Sequence, residues 1–187
     1  MSDMDFHTET GRPSLDLIAT LGDRGGDGLE RLPDTAAATA WFRTVARYPI
    51  PEPLSAHDLS VVLGLRNALC RVADTVFAGR VPAAEDIDVV NRYAAIQASP
   101  PQLAKDGRTL TSNQGTTLEA ALGEIARDAV DLLAGPELEK MKRCASDDCS
   151  VLFVDRSRPG KRRWCSMSRC GNQSKKRKYN AKTRELR

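Results

Sequence analysis

Through the first 135 residues, apolar positions recur at helical spacing, and beyond them the pattern breaks. Leu59, Val62, Leu63, Leu69, Val72, Val76 and Phe77 step along one face up to Gly79 and predict the longest helix of the chain. Ser55-Ala56-His57-Asp58 stands in front of it as a capping box, with Asp in place of Glu. Asp34 precedes an alanine-rich run through Trp41, Phe42 and Val45, and caps a helix that stops before Pro49. Ala83 to Ala98 predicts another, with Ile87, Val90, Ala94 and Ile96 as inward candidates and Pro100-Pro101 as its stop. Thr117 opens a last one, whose stripe of Leu118, Leu122, Ile125, Ala129, Leu132 and Leu133 is closed by Gly135-Pro136.

Shorter segments break this rhythm. Ser14 to Leu21 is helix or strand, since periodicity cannot decide at that length, and Gly22 to Gly28 reads as a flexible loop. Within Gln102 to Gln114, Asp106-Gly107 between Leu103 and Leu110 predicts a small hairpin. Glu137 to Arg143 is expected to be a helical connector. Val151 to Val154 is a β-branched and aromatic strand, Ser157 to Gly160 a turn, and Arg162 to Trp164 the returning strand.

Cysteines change the picture of the last fifty residues. Cys144, Cys149, Cys165 and Cys170 form two C-x4-C pairs separated by fifteen residues. Two close thiolate pairs can complete a tetrahedral shell around one structural Zn2+, leaving no position open for substrate. Two disulfides are the rival in an oxidising compartment. With few apolar residues of its own, the segment needs metal bonds that supply ~10–16 kcal/mol in comparable sites. Phe153 and Trp164 are expected to pack around the metal, and Asp155 to pair with a neighbouring guanidinium. A helix from about Ser168 to Lys182, capped by Ser166, would hold Cys170 in its first turn or two. The expected fold is mainly α: a helical N-terminal domain with a small hairpin over 1–137, then a treble-clef-like zinc module over 138–187, made of a β-hairpin and a basic helix. Cys70, the fifth cysteine, reads as an inert buried thiol.

The net charge of +3 conceals an asymmetry. Residues 156–187 carry thirteen Lys and Arg against Glu185 alone, giving +12, and the rest of the chain carries −9. Such an end suits a polyanion, and a cationic module does not by itself distinguish duplex DNA from structured RNA. Arg162, Arg163, Lys175, Lys176, Arg177, Lys178, Lys182 and Arg184 are the candidate contacts. No stretch approaches the ~20 apolar residues of a membrane helix, Met1 to Arg12 does not look like a secretion signal, and a cytoplasmic location is expected. No constellation of residues supports catalysis, so the chain is not expected to be an enzyme. His7 and His57, the two histidines, are assigned solvated surface roles. Asp16, Arg66, Asn67, Asn91 and Arg92 line a small-molecule cavity, make interior hydrogen bonds or lie on plain helix surface.

The C-terminal motifs carry a resemblance. Cys144-x4-Cys149, then Leu152-Phe153-Val154-Asp155, then Arg162-Arg163-Trp164-Cys165-Ser166-Met167 and Cys170-Gly171-Asn172, resemble the CGNR-type zinc finger. Gln173 stands where that family has Arg, which removes one charge at a characteristic position. Gly11 to Leu21 and the helical body are similar to the ABATE domain, with Ala19 where an Asn is usual before Thr20. That domain precedes the finger in bacterial proteins described as stress-induced transcription regulators. The resemblance implies a DNA-binding regulator. RNA binding, protein interaction and ligand sensing by the helical domain are the alternatives. A homodimer and a small-molecule effector are carried as further expectations.

Overall fold

The computed structural model describes residues 6–24, 26, 28–46, 50, 53–97, 102–111 and 117–185. Side chains at 110, 111, 178, 181, 182, 184 and 185 lie outside that description. The described chain forms two compact units: Leu32–Gly135, and Pro136–Arg187 together with the residues up to Arg31.

The first unit is helical. Helix α2 spans Thr35–Thr44, and the Asp34 carboxylate accepts the Ala37 N–H at 2.8 Å. Helix α3 spans Ala56–Phe77 behind a complete capping box: Ser55 Oγ accepts the Asp58 N–H at 3.1 Å, and Asp58 accepts the Ser55 N–H at 2.8 Å. Helix α4, Ala84–Ala94, packs on α3 and on α5, Leu118–Ala134, to make a three-helix core. Val62, Leu65, Leu69, Leu122, Ile125 and Leu132 fill it, and Cys70 is buried among them as expected. Strands β3 (Gln102–Leu103) and β4 (Leu110–Thr111) pair across the Asp106-Gly107 turn, where Asp106 accepts the N–H groups of Arg108 and Thr109, both at 2.9 Å.

Two details of this unit differ from the sequence expectation. Helix α4 ends at Ala94, where the Arg127 guanidinium accepts the role of cap by donating to the Ala94 carbonyl at 3.0 Å. Pro100 and Pro101 lie outside the described residues, as does Pro49. Ile87 is 36 % exposed, because the inward face of α4 passes through Asp86 and Val90, and Asp86 takes a two-pronged bond from Arg71. Asn91 and Arg92 are exposed on α4, while Arg66 is buried and donates to Asn67 Oδ1, which is the interior hydrogen-bond alternative. Gly135 ends α5 because the residue before Pro136 is pushed to extended backbone, and the position is glycine because a Cβ there would meet the Asp131 carbonyl at 2.2 Å.

In the second unit, Ser14–Leu21 turns out to be both of its alternatives. Helix α1 is Pro13–Ile18, with proline in its first turn, and strand β1, Leu21–Gly22, pairs with β2, Leu29–Glu30. Pro136–Lys140 is a 3-10 turn, after which the expected helical connector becomes strand β5, Met141–Arg143. β5 pairs antiparallel with β6, Leu152–Val154, in the register Lys142 opposite Phe153. Arg162–Trp164 is therefore not the returning strand. The Val154 N–H is taken by the Thr10 carbonyl at 2.8 Å, and the Arg162 N–H goes to the Asp155 carboxylate at 2.8 Å. A π-helical turn, Met167–Gly171, leads into α6, Asn172–Glu185. No described helix is long and apolar enough to cross a membrane.

The capping box is separable from the core. Ser55→Ala should lower unfolding free energy by about 1 kcal/mol with an unchanged denaturant slope, measured by urea titration.

Candidate metal centre and basic helix

Each cysteine is delivered by a different local device. Cys144 directly follows β5, and its N–H bonds the Val151 carbonyl at 2.9 Å, which closes the loop that returns as β6. Cys149 sits on a turn secured by its own N–H to the Ser146 carbonyl at 3.0 Å. Cys165 follows Trp164, and the Arg163 carbonyl beside it accepts the Ala145 N–H at 2.8 Å, joining the two knuckles. Cys170 lies in the π turn, whose Gly171 N–H reaches back to the Ser166 carbonyl at 3.0 Å. Ser166 occupies the cap position in extended backbone, but its hydroxyl pairs with Ser168 at 2.8 Å rather than with a backbone N–H.

The four sulfurs lie within 4.8 Å of one another. Cys149 to Cys165 is 3.8 Å and Cys165 to Cys170 is 3.6 Å. A tetrahedron of ~2.3 Å zinc–sulfur bonds has edges of about 3.8 Å, and a disulfide would need ~2.05 Å. All four thiols are free, so the disulfide alternative is excluded by geometry. Crowding also argues for a cation. Bonding from its neighbours, Cys149 first, pushes the Cys144 thiol down, while Cys144 and the other two sulfurs push Cys165 up. A divalent ion lets all four ionise together. Phe153, fully buried, and Trp164, partly buried, pack on the sulfurs as expected, with Ala19 completing the cluster.

Ala19 belongs to a strap that the sequence did not associate with the finger. Arg169 donates to the Phe6 carbonyl at 3.0 Å, Arg162 to Glu9 at 2.9 Å, and Arg156 to Gly11 at 3.1 Å. Glu137 joins the two segments, accepting Arg12 at 3.0 Å and Arg156 at 2.7 Å. Those bonds, Arg156 foremost, hold the Glu137 carboxyl down at about 2. Asp155 pairs with the Lys142 ammonium at 2.7 Å and with Ser157, not with a guanidinium, and is held well below the usual carboxylate range. His7 is 8 % exposed rather than solvated, and burial, then Arg169 and Arg31, push its imidazole down to about 4. His57 is exposed, as expected. Nothing in sequence spacing signals the bonds between the strap and the finger, because their partners are 125 to 163 residues apart.

The basic candidates separate into different settings. Lys175 and Lys176 are exposed on α6. Arg177 is exposed and pairs with Asp148 of the first knuckle, tying the helix to the metal loop. Arg163 is exposed and its guanidinium lies over the Trp164 ring, 5.1 Å from the centroid. Arg162 is turned inward: it lies 4.6 Å over the Phe153 ring and donates to the Trp164 carbonyl at 2.9 Å and to Cys165. Lys178, Lys182 and Arg184 have helical backbone, and their side chains lie outside the description.

Two outcomes follow from this geometry. Native mass spectrometry should find one zinc per chain, and Cys165→Ser should lose it. Glu137 has a folded pKa below its ordinary 4.5, so the unfolded chain binds the extra proton between about 2 and 4.5. Its stabilisation is complete above that window and disappears as pH falls through it. Glu137→Gln should cost about 1 kcal/mol at neutral pH, with part of the ion-pair strength screened by solvent. In matched thermal melts, the gap between wild type and variant should narrow on acidification.

Comparison with known families agrees with this construction. Residues 140–183 match the CGNR zinc finger, and residues 11–136 match the ABATE family, described as "putative stress-induced transcription regulator". No curated protein matches the chain. The four-sulfur shell therefore holds a single structural zinc. By the match over most of its length, with the finger following it, the chain belongs to the ABATE family and carries a CGNR zinc finger.

Proposed function

We propose that the chain regulates transcription by binding DNA through α6, with the zinc acting as a structural anchor. One observation carries this: the metal ligand Cys170 lies in the turn that opens α6, so the ion sets the direction of a helix whose Lys175 and Lys176 project into solvent. Those two residues, with Arg163 and the cations further along the helix, suit phosphates and provide affinity rather than base readout. Four protein sulfurs close the shell to substrate, which supports a binding role over an enzymatic one. A reducing compartment such as the cytoplasm would keep the thiols available to the metal.

RNA or unpaired strands form the second reading, favoured by Tyr179, whose ring is 72 % exposed on the same helix. Exposed aromatics on basic surfaces serve as stacking platforms for unpaired bases, worth about 1–3 kcal/mol each.

If about six phosphates are neutralised, log K against log salt should have a slope near −5 for duplex DNA, and Lys175→Gln should reduce that slope by about 1. Fluorescence anisotropy reads both, and a salt-insensitive affinity contradicts the proposal. Competition between matched DNA and RNA duplexes and a single strand, with Tyr179→Ala in parallel, separates the readings: loss confined to the single strand favours stacking.

A further inference from the structure

Within the second unit, a cleft of about 430 Å³ opens beside the zinc knuckle. That volume lies in the range of small-molecule sites. His7, Arg31, Asp148, Arg169, Gln173 and Arg177 are on its wall. Two of these are deeply buried, His7 at 8 % and Arg31 at 7 % exposure. Polar groups buried this far are costly unless hydrogen-bonded. His7 nevertheless makes no hydrogen bond to another described residue, and its ring lines the cleft. Beside it, Arg31 Nη1 donates to the Ala19 carbonyl at 3.3 Å, and a Cβ at Gly22 would stand 2.4 Å from that nitrogen.

The chemistry of the wall selects the occupant. Arg31, Arg169, Arg177 and the Gln173 amide make it rich in N–H donors, and guanidinium forks match the paired oxygens of carboxylates and phosphates. A neutral imidazole adds one donor and one acceptor. Asp23 and Asp148 offset part of the positive charge, and Cys149 and Cys170 bring thiolate charge to the same wall. Directed donors rather than net potential therefore hold the occupant, which favours a compact oxyanion over an extended polyanion.

Gln173 and Arg177 lie one turn apart on α6, so the cleft and the cationic surface share a helix. We infer that this cleft is a receptor site for a small-molecule oxyanion, a carboxylate or phosphate group held between His7 and the guanidinia of Arg31 and Arg169, and sensed through Gln173 and Arg177 of α6. The sensing step rests on the DNA-binding reading above; the binding step does not.

The two histidines supply the test, since His7 lines the cleft and His57 is exposed in the other unit. The zinc-loaded full chain is titrated with acetate and with inorganic phosphate at constant ionic strength, and the imidazole resonances are followed by NMR, with His57→Gln giving the assignment. The expected result is a saturable shift of the His7 ring with His57 unmoved, and a several-fold weaker midpoint in Gln173→Ala. Equal shifts at both rings, or a non-saturating drift at His7, would overturn the site, and wild-type selectivity decides the matter even if the variant fails to fold. A short DNA duplex then distinguishes the source of the oxyanion. A duplex that changes the anion midpoint without displacing it supports a separate effector, and one that takes over the His7 shift competitively overturns the small-molecule assignment in favour of backbone phosphate. A salt-insensitive DNA titration alongside a saturable His7 shift would sink the DNA reading alone.

Discussion

Convergence of four sulfurs within 4.8 Å is the constraint on which the finger depends. The strands that bring them together are three residues each, too short to be stable by themselves. Their packing adds one fully buried aromatic, Phe153, and half-covered Trp164. Metal–thiolate bonds supply what this small core lacks, and they do so at the point where α6 begins. The ion thus acts on function indirectly, by giving a polar helix with a very weak apolar face a defined origin and direction. Without it, a segment as basic as Lys175 to Lys178 would repel itself and have no surface on which to settle.

Positive charge in this region does two separate jobs, divided by side-chain chemistry. Arg156, Arg162 and Arg169 direct their planar forks at the carbonyls of Gly11, Glu9 and Phe6, and so bind the N-terminal strap to the finger. Lys175 and Lys176, with compact and strongly hydrated ammonium groups, stay in solvent. The +12 of residues 156–187 therefore overstates the number of cations presented outward. Arg162 illustrates the difference: it lies in a run of three basic residues that looks like a contact surface, yet its donors close on Trp164, Cys165 and Glu9.

The strap also explains why the family match and the compact units divide the chain differently. The ABATE match runs through residues 11–136, whereas residues up to Arg31 fold with the finger. Ala19 packs against the zinc cysteines, and the Glu137 carboxylate bridges Arg12 and Arg156. A segment whose partners lie more than a hundred residues away gives no local sign of where it belongs. Sequence division at residue 137 follows the end of helical periodicity, which marks where a pattern stops and not which pieces share a core.

Local signals were legible from the residues. Both N-caps at Asp34 and Ser55, the Asp106-Gly107 turn, the stripe of α5 and the four zinc ligands all depend on neighbours within a few positions or on the restricted chemistry of thiolates. Misplaced features involve pairing at a distance. β6 took β5 rather than Arg162–Trp164, because the Asp155 carboxylate captured the Arg162 N–H. Ile87 lost the inward position to Asp86 because Arg71, on another helix, neutralised it. His7, read as solvated, is enclosed by arginines from β2's exit and from the π turn. Residue types and short spacings determined the metal, the caps and the basic character of the end. Only tertiary structure decided which cations face solvent and which close the fold, since a guanidinium takes whichever carbonyl or carboxylate the folded chain places within its reach.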